Sequence, residues 1–439
     1  EQNDMDYVDT CTTCPDNAHT YVLDKFQPEK TMQYDPLRNN GAEIMIYHAS
    51  ASTKNKNPAY GANSKDIPIG SDSTTEAAWI NQYRFANWLA DSLGNTMIYE
   101  CGNEDEADWG GATRWHSPLV RLRKLAAYWK GVKAACANCE VALGPTPFRD
   151  SSHRKGMLLL SRMLYGYPNF MDSLYSINYN HYHTTSGGQG GSNTDGVTPE
   201  QDDTYSKWIR MKRFHDYFFP NSYLIWTEIG YDSLSGSNYN IPTIAGKANT
   251  GIAQAEWMLR SYELGAAAGL DAVYQYTQTT IGGGDFASTG FVKPREDPPG
   301  SFIYYNDPTR QYFYITAMMT AKQNYQAAGT VIQSGDSTGV WIVEYPHVSD
   351  ASKKLRSVWY GTRNNTSNAS YSLSLPGAAS ATFRRPTNSV VGGTTGSLTL
   401  SGGAATLLVD EAPVYVEVTY ATNPPAILRS KKFTKIIIQ

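Results

Sequence analysis

Apolar positions along the chain fall into two alternating patterns. One is a short apolar run that leads into polar residues. The other is a longer stretch with apolar side chains three and four apart. The first reads as a buried strand and the second as an amphipathic helix. Between residues 42 and 327 the two alternate. Strands are predicted over 43–48, 96–101, 141–143, 173–179, 223–227 and 272–276. Helices are predicted over 76–93, 119–135, 156–170, 203–218, 252–268 and 310–326. Strands that are apolar on both faces, each followed by a helix, make a parallel sheet covered by helices. The expected fold class is therefore α/β, a (β/α)8 barrel. A closed barrel needs eight strands, and this stretch supplies six. Residues 1–41 hold a cysteine-containing loop, a candidate helix over 29–39 and a weak strand around 21–23. The first strands are expected to be degenerate, to lie upstream of Glu1, or to come from a partner, because an open sheet leaves unpaired edges.

Beyond residue 330 the pattern changes. Short runs at 340–345, 355–360, 371–375, 381–383, 397–400, 405–408 and 414–418 are parted by Gly, Ser, Asn and Asp. That spacing predicts a small antiparallel β-sandwich. The expected division is a catalytic barrel over 1–329, a sandwich over 330–420, and over 421–439 a Pro-Pro linker with a tail or final strand.

The formal net charge of −4 and the lack of a basic stripe speak against nucleic acid as a partner. No run of about 18 apolar residues is present, so no membrane span is expected. The 31 Tyr and 10 Trp offer flat apolar faces with polar rims, which suit stacking on sugar rings. The five cysteines form two close pairs, Cys11/Cys14 and Cys136/Cys139, plus Cys101. Four thiolates could hold zinc, but 122 residues (136 minus 14) separate the pairs, unlike a zinc ribbon. Two local disulfides in a secreted or cell-surface protein are the favoured reading. The sequons at Asn364, Asn365 and Asn368 mark a polar loop.

Two segments carry the chemistry: Ile98-Tyr-Glu-Cys-Gly-Asn-Glu104 and Leu224-Ile-Trp-Thr-Glu-Ile-Gly230. Each is an apolar run that ends in a glutamate. In a barrel, catalysis sits at the C-terminal ends of the strands. Two carboxylates delivered there are the minimal apparatus for cleaving a glycosidic bond, one protonating the leaving oxygen and one attacking the anomeric carbon. Asn103 sets an amide beside the acid, where it can donate to the sugar 2-hydroxyl. The 173–179 strand leads into His181, Tyr182 and His183, polar aromatic groups that need partners if buried. His181 and His183 share a face and could hold a metal, but no third ligand is evident, so neither metal nor cofactor is assigned. His48 ends a strand and is a candidate contact to a substrate hydroxyl. Trp109 follows an acidic loop whose Asp105 and Asp108 lack EF-hand spacing, and is a candidate sugar platform. The Gly-rich stretch over 186–192 lacks a Walker lysine and reads as a rim loop.

The order of these features resembles clan A of the retaining glycoside hydrolases, which carries Asn-Glu at the end of the fourth barrel strand and Glu at the end of the seventh. Here Asn103-Glu104 and Glu228 lie 124 residues apart (228 minus 104), on strands three positions apart. The resemblance covers residues 42–327. It implies Glu104 as general acid/base, Glu228 as nucleophile, and carboxyls about 5–5.5 Å apart. It implies a polysaccharide or oligosaccharide substrate and an aromatic or His, among His181, Tyr182 and His183, hydrogen-bonded to the nucleophile; with Trp226 these three are also candidate substrate contacts. Tyr276 is the candidate to replace the Trp that commonly ends the eighth strand. Members of the clan act on algal galactans, as agarases and porphyranases do, or on mannans, xylans or β-1,3-glucans. Long loops over 49–75, 105–117 and 184–202 suggest an open groove and endo action. The alternative is a non-catalytic carbohydrate-binding or cell-surface structural protein on a barrel scaffold, which would not need the carboxylate pair.

Overall fold

A computed structural model describes residues 8–9, 20–21, 44–48, 77–94, 97–102, 118–147, 158, 160–165, 167–184, 196–233, 241, 250–276, 288–290, 292–296, 304–335, 339–361 and 369–421. Asn103, Glu104, Trp109, the first cysteine pair, the sequons, the expected helix over 29–39 and the tail lie outside these residues.

Two short strands, β1 (Val8–Asp9) and β2 (Thr20–Tyr21), pair antiparallel. The parallel strands are β3 (Ile44–His48), β4 (Met97–Cys101), β5 (Glu140–Pro147), β6 (Ser176–Asn180), β7 (Tyr223–Ile229) and β8 (Ala272–Gln275), in that order across the sheet. Between them run α1 (Ala77–Leu93), α2 (Pro118–Ala135), α3 (Pro168–Met171), α4 (Thr204–Phe218) and α5 (Thr250–Ala267). All six predicted strands are present, in a sheet that among the described residues has six strands. The chain divides into two compact units, one of residues 1–180 and 215–224, the other of 181–214 and 225–439.

In the first unit β4 and β6 are buried along their whole length, as a sheet covered on both faces requires. Helices α1 and α2 cross closely at Gly131, where a Cβ would fall 2.3 Å from the Tyr83 carbonyl oxygen. Just beyond α2, Cys136 and Cys139 form a disulfide, so this pair is closed to metal. β5 runs on through Gly-Pro-Thr-Pro, longer than expected, and its pairing with β6 shifts register between Leu143 and Thr146. The helix expected over 156–170 is broken at Tyr167, and Pro168 opens the short α3.

In the second unit β7 and β8 pair in parallel, Ile225 opposite Ala272 and Trp226 opposite Val273. A polar antiparallel pair, β9 (Val292–Glu296) and β10 (Tyr304–Pro308), precedes α6 (Arg310–Lys322) and was not foreseen from the sequence. Two antiparallel sheets follow. One has the order β11-β12-β13-β19-β15-β16 and the other β14-β18-β17. Their strands are β11 (Thr330–Gln333), β12 (Val340–Pro346), β13 (Lys353–Tyr360), β14 (Ala369–Ser374), β15 (Ala378–Arg385), β16 (Thr394–Leu398), β17 (Leu400–Ser401), β18 (Ala404–Val409) and β19 (Val414–Tyr420). The sheets share one apolar core, with Val340, Ile342, Val358, Val414 and Val416 from the first and Leu373, Leu407 and Val409 from the second. Strand alternation turns Trp341, Val343 and Tyr345 of β12 to the other face, and they are buried there too. That face meets α5: the buried Glu263 carboxylate accepts from the Tyr345 and Tyr415 hydroxyls. Lys322 of α6 joins them, 3.3 Å from Glu263 and 3.9 Å above the Tyr345 ring.

Candidate active site

The described part of the site is built at the end of β7. Leu224, Ile225, Trp226 and Thr227 are buried, and Glu228, the last polar residue of the strand, is half-buried. Directly after it, Gly230 allows β8 to approach. A Cβ there would fall 2.3 Å from the Tyr276 carbonyl oxygen, and the Tyr276 N–H donates to the Ile229 carbonyl at 2.8 Å. Tyr276 itself is half-buried at the end of β8.

The segment after β6 is fastened to this strand end. The His181 N–H donates to the Glu228 carbonyl at 3.1 Å. The Trp226 indole N–H is shared between the carbonyls of His181 at 3.0 Å and Glu228 at 2.8 Å. These bonds fix the backbone so that the buried Tyr182 hydroxyl donates to Glu228 Oε2 at 2.8 Å. A donor aimed at a carboxylate favours its ionised form. The bond fixes the position of Glu228 Oε2.

The two histidines flanking Tyr182 turn away to a buried aspartate. His181 Nε2 lies 2.5 Å and His183 Nδ1 2.9 Å from Asp202 Oδ2. The Thr204 hydroxyl lies 3.2 Å from the same oxygen, and Lys207 Nζ donates to Oδ1 at 2.7 Å. His183 Nε2 reaches Ser261 Oγ at 3.1 Å. Burial pushes the Asp202 carboxyl up, but the attraction of His181 and the hydrogen bonds from both histidines outweigh it and hold the group well below the usual carboxylate range. Burial lowers the His183 pKa to about 4 despite the neighbouring Asp202, so this imidazole is neutral at pH 7. Asp202 sits in a turn where the Thr198 N–H donates to Gln201 Oε1 and the Gln201 N–H to Thr198 Oγ1. Asp203 then takes φ of 55°, a left-handed conformation that Asp adopts at modest cost, and α4 begins.

His181, His183 and Asp202 together have the donor types of a metal site, with Asp202 the third member that the sequence did not reveal. Their contacts are those of a closed hydrogen-bond network: ligand atoms around a tetrahedral ion stand about 3.3 Å apart for bonds near 2.0 Å, and two of these lie closer. Lys207 also sets a cation against the same carboxylate.

Of the candidate substrate contacts, Trp226, His181 and His183 are buried, with 0, 2 and 1% exposure, and hydrogen-bond within the protein. Tyr182 reaches Glu228 itself. His48 closes β3, its backbone opposite Cys101 of β4. Glu100, buried inside β4, accepts from Asn178 Nδ2 at 2.5 Å; the sequence pattern singled out neither residue.

No family model matches the chain, and no curated protein matches it. Solved structures do. A family 39 glycoside hydrolase from the gut symbiont Bacteroides cellulosilyticus WH2 aligns over 91% of this chain and 72% of its own, at 16% identity and a TM-score of 0.62. The catalytic domain of the family 30 xylanase C from Talaromyces cellulolyticus aligns over 92% and 82%, at 15% identity and a TM-score of 0.54. A conserved exported protein from Bacteroides fragilis aligns over 93% and 82%, at 12% identity and a TM-score of 0.61. The fold is thus shared with clan A-like glycoside hydrolases.

Proposed function

We propose that the protein is a retaining β-glycoside hydrolase that acts within polysaccharide chains. Glu228 is the nucleophile and Glu104 the general acid/base. The observation that carries the reading is Glu228 at the C-terminal end of a parallel strand, half-exposed, with one oxygen held by the buried Tyr182 hydroxyl at 2.8 Å. An ionised carboxylate suits attack, and a second carboxyl must then supply the proton. Glu104 follows β4, three parallel strands before β7 along the chain. In this reading residues 1–329 form the barrel and 330–420 the sandwich. Asn103 holds the sugar 2-hydroxyl, while His48, Trp109 and Tyr276 line the cleft. The Cys136–Cys139 disulfide supports a secreted or cell-surface location.

The test is a panel of galactans, mannans, xylans and β-1,3-glucans assayed for reducing ends and viscosity, with Glu228→Gln and Glu104→Gln alongside. The parent is expected to cut at least one polymer internally, and both variants to lose nearly all turnover while still binding it. A 2-deoxy-2-fluoro aryl glycoside should label Glu228, read by peptide mass spectrometry. Equal release of sugar by parent and variants refutes the assignment. Release of monosaccharide alone from chain ends refutes endo action. A carboxyl separation above about 6.5 Å in a crystal structure refutes retention.

A further inference from the structure

We propose that the C-terminal sheets set the position of the nucleophile, through a buried polar path that runs from Trp359 and Glu411 by way of Arg260 and Glu200 to Asp202, and from there through the two histidines to Tyr182 and Glu228. Asp202 and Glu200 are positioning residues in this scheme. The proposal rests on the reading of Glu228 as the nucleophile.

From Trp359 and Glu411 to Glu200 the links are contacts between buried side chains. The Trp359 indole N–H of β13 donates to Glu200 Oε1 at 2.7 Å. Arg260 of α5 donates to the same oxygen from Nε at 3.0 Å and grips Glu200 Oε2 with Nη2. Its Nη1 lies 3.3 Å from Glu411 Oε2, in the loop before β19. The side chains of Arg260, Glu200 and Glu411 have no solvent exposure. A buried cation between two carboxylates is rigid, because leaving any member unpaired costs several kcal/mol.

Glu200 and Asp202 belong to one tight turn. Besides the Thr198–Gln201 exchange, the N–H groups of Asp202, Asp203 and Thr204 donate to the carbonyls of Thr198, Glu200 and Pro199 at 3.0–3.1 Å. The turn cannot shift at Glu200 without shifting Asp202. Asp202 in turn holds both side chains that flank Tyr182, and the Tyr182 hydroxyl holds Glu228. Helix α5 closes the circuit, since Ser261, next to Arg260, contacts His183. The members of the path before Glu228 are buried. The effect of the path is to place one carboxylate oxygen, where a displacement of about 1 Å can cost on the order of a hundredfold in rate.

The experiment uses the full-length chain with 15N-labelled histidine. In the parent, the His181 and His183 ring N–H protons bonded to Asp202 should give far-downfield proton resonances that exchange slowly with water. Asp202→Asn should move or abolish both; if that variant does not fold, Thr204→Val, which removes one donor to Asp202, serves instead. Trp359→Phe keeps an aromatic ring beside Trp341 and removes the donor to Glu200. It should move the same resonances and lower kcat severalfold with KM unchanged. Trp341→Phe is the control, because the Trp341 indole N–H has no partner among the described residues, and it should leave the resonances in place. Trp359→Phe resonances that superpose on those of the parent would overturn the path. Resonances that move while Glu228→Gln turns over like the parent would uphold the path to Asp202 and sink the reading of Glu228.

Discussion

At the scale of single residues the site depends on what surrounds one carboxylate. The Tyr182 hydroxyl donates to Glu228 Oε2. Tyr182→Phe removes a donor that favours the charged form of Glu228, the proposed nucleophile, so the pKa of that carboxyl should rise. The acid limb of the kcat/KM profile should move to higher pH, and kcat should fall by roughly tenfold or more, as when one preorganised donor is lost. An unmoved acid limb would show that the hydroxyl does not tune the nucleophile. Behind it, His183 and Asp202 link stability to pH. A histidine with its pKa lowered from 6.5 to about 4 stabilises the fold fully above 6.5 and loses that contribution as pH falls towards 4. The loss is of order 3 kcal/mol for a shift of that size. Asp202, held below its ordinary value of 3.8, adds a further loss only below that pH. Urea melts at pH 7, 5 and 4 should show declining stability, and His183→Asn should flatten the upper part of the decline.

At the scale of elements, Gly230 joins β7 to β8 by leaving room for a carbonyl. Gly230→Ala should push the strands apart and destabilise the fold by roughly 1–3 kcal/mol, read by thermal melting with a loss of activity. The parallel strands were legible because each is an apolar run bounded by polar residues. The elements that escaped lack that contrast. β11 is mostly exposed, and β9 (VKPRE) carries charges and a proline. β5 was cut short because Gly-Pro-Thr-Pro reads as a breaker, whereas the register shift beside it lets a strand carry prolines. For the site, Glu228 was visible as the polar end of an apolar run. Asp202 was not, because Gln201-Asp-Asp203 is locally an ordinary polar loop and its meaning comes from residues about twenty positions away. Of the three candidates for a bond to Glu228, Tyr182 makes one, while the burial of Trp226 and the two histidines depends on packing that no local pattern encodes.

At the scale of the molecule, the second unit gathers β8, α5, α6 and the C-terminal sheets into one body. The centre of the larger sheet, β12, β13 and β19, is buried on both faces, by the smaller sheet on one side and by α5 on the other. A chain ending at residue 329 should therefore fail to fold or should aggregate, because it exposes the apolar face of α5 and strands Arg260 and Glu263 without Glu411, Tyr345 and Tyr415. Expression and a single cooperative melt of the full chain, set against the truncated one, check this. Recovery of a soluble, active 1–329 fragment would count against it. The doubly buried sheet also bears on how such a protein can be inherited. Carbohydrate-binding modules that hang on linkers can be shuffled between genes, because each brings a finished surface. Here the surface of the C-terminal sheets is finished only by α5 and α6, so exchange between genes would have to carry the closing helices with them, and the two parts are bound to change sequence together.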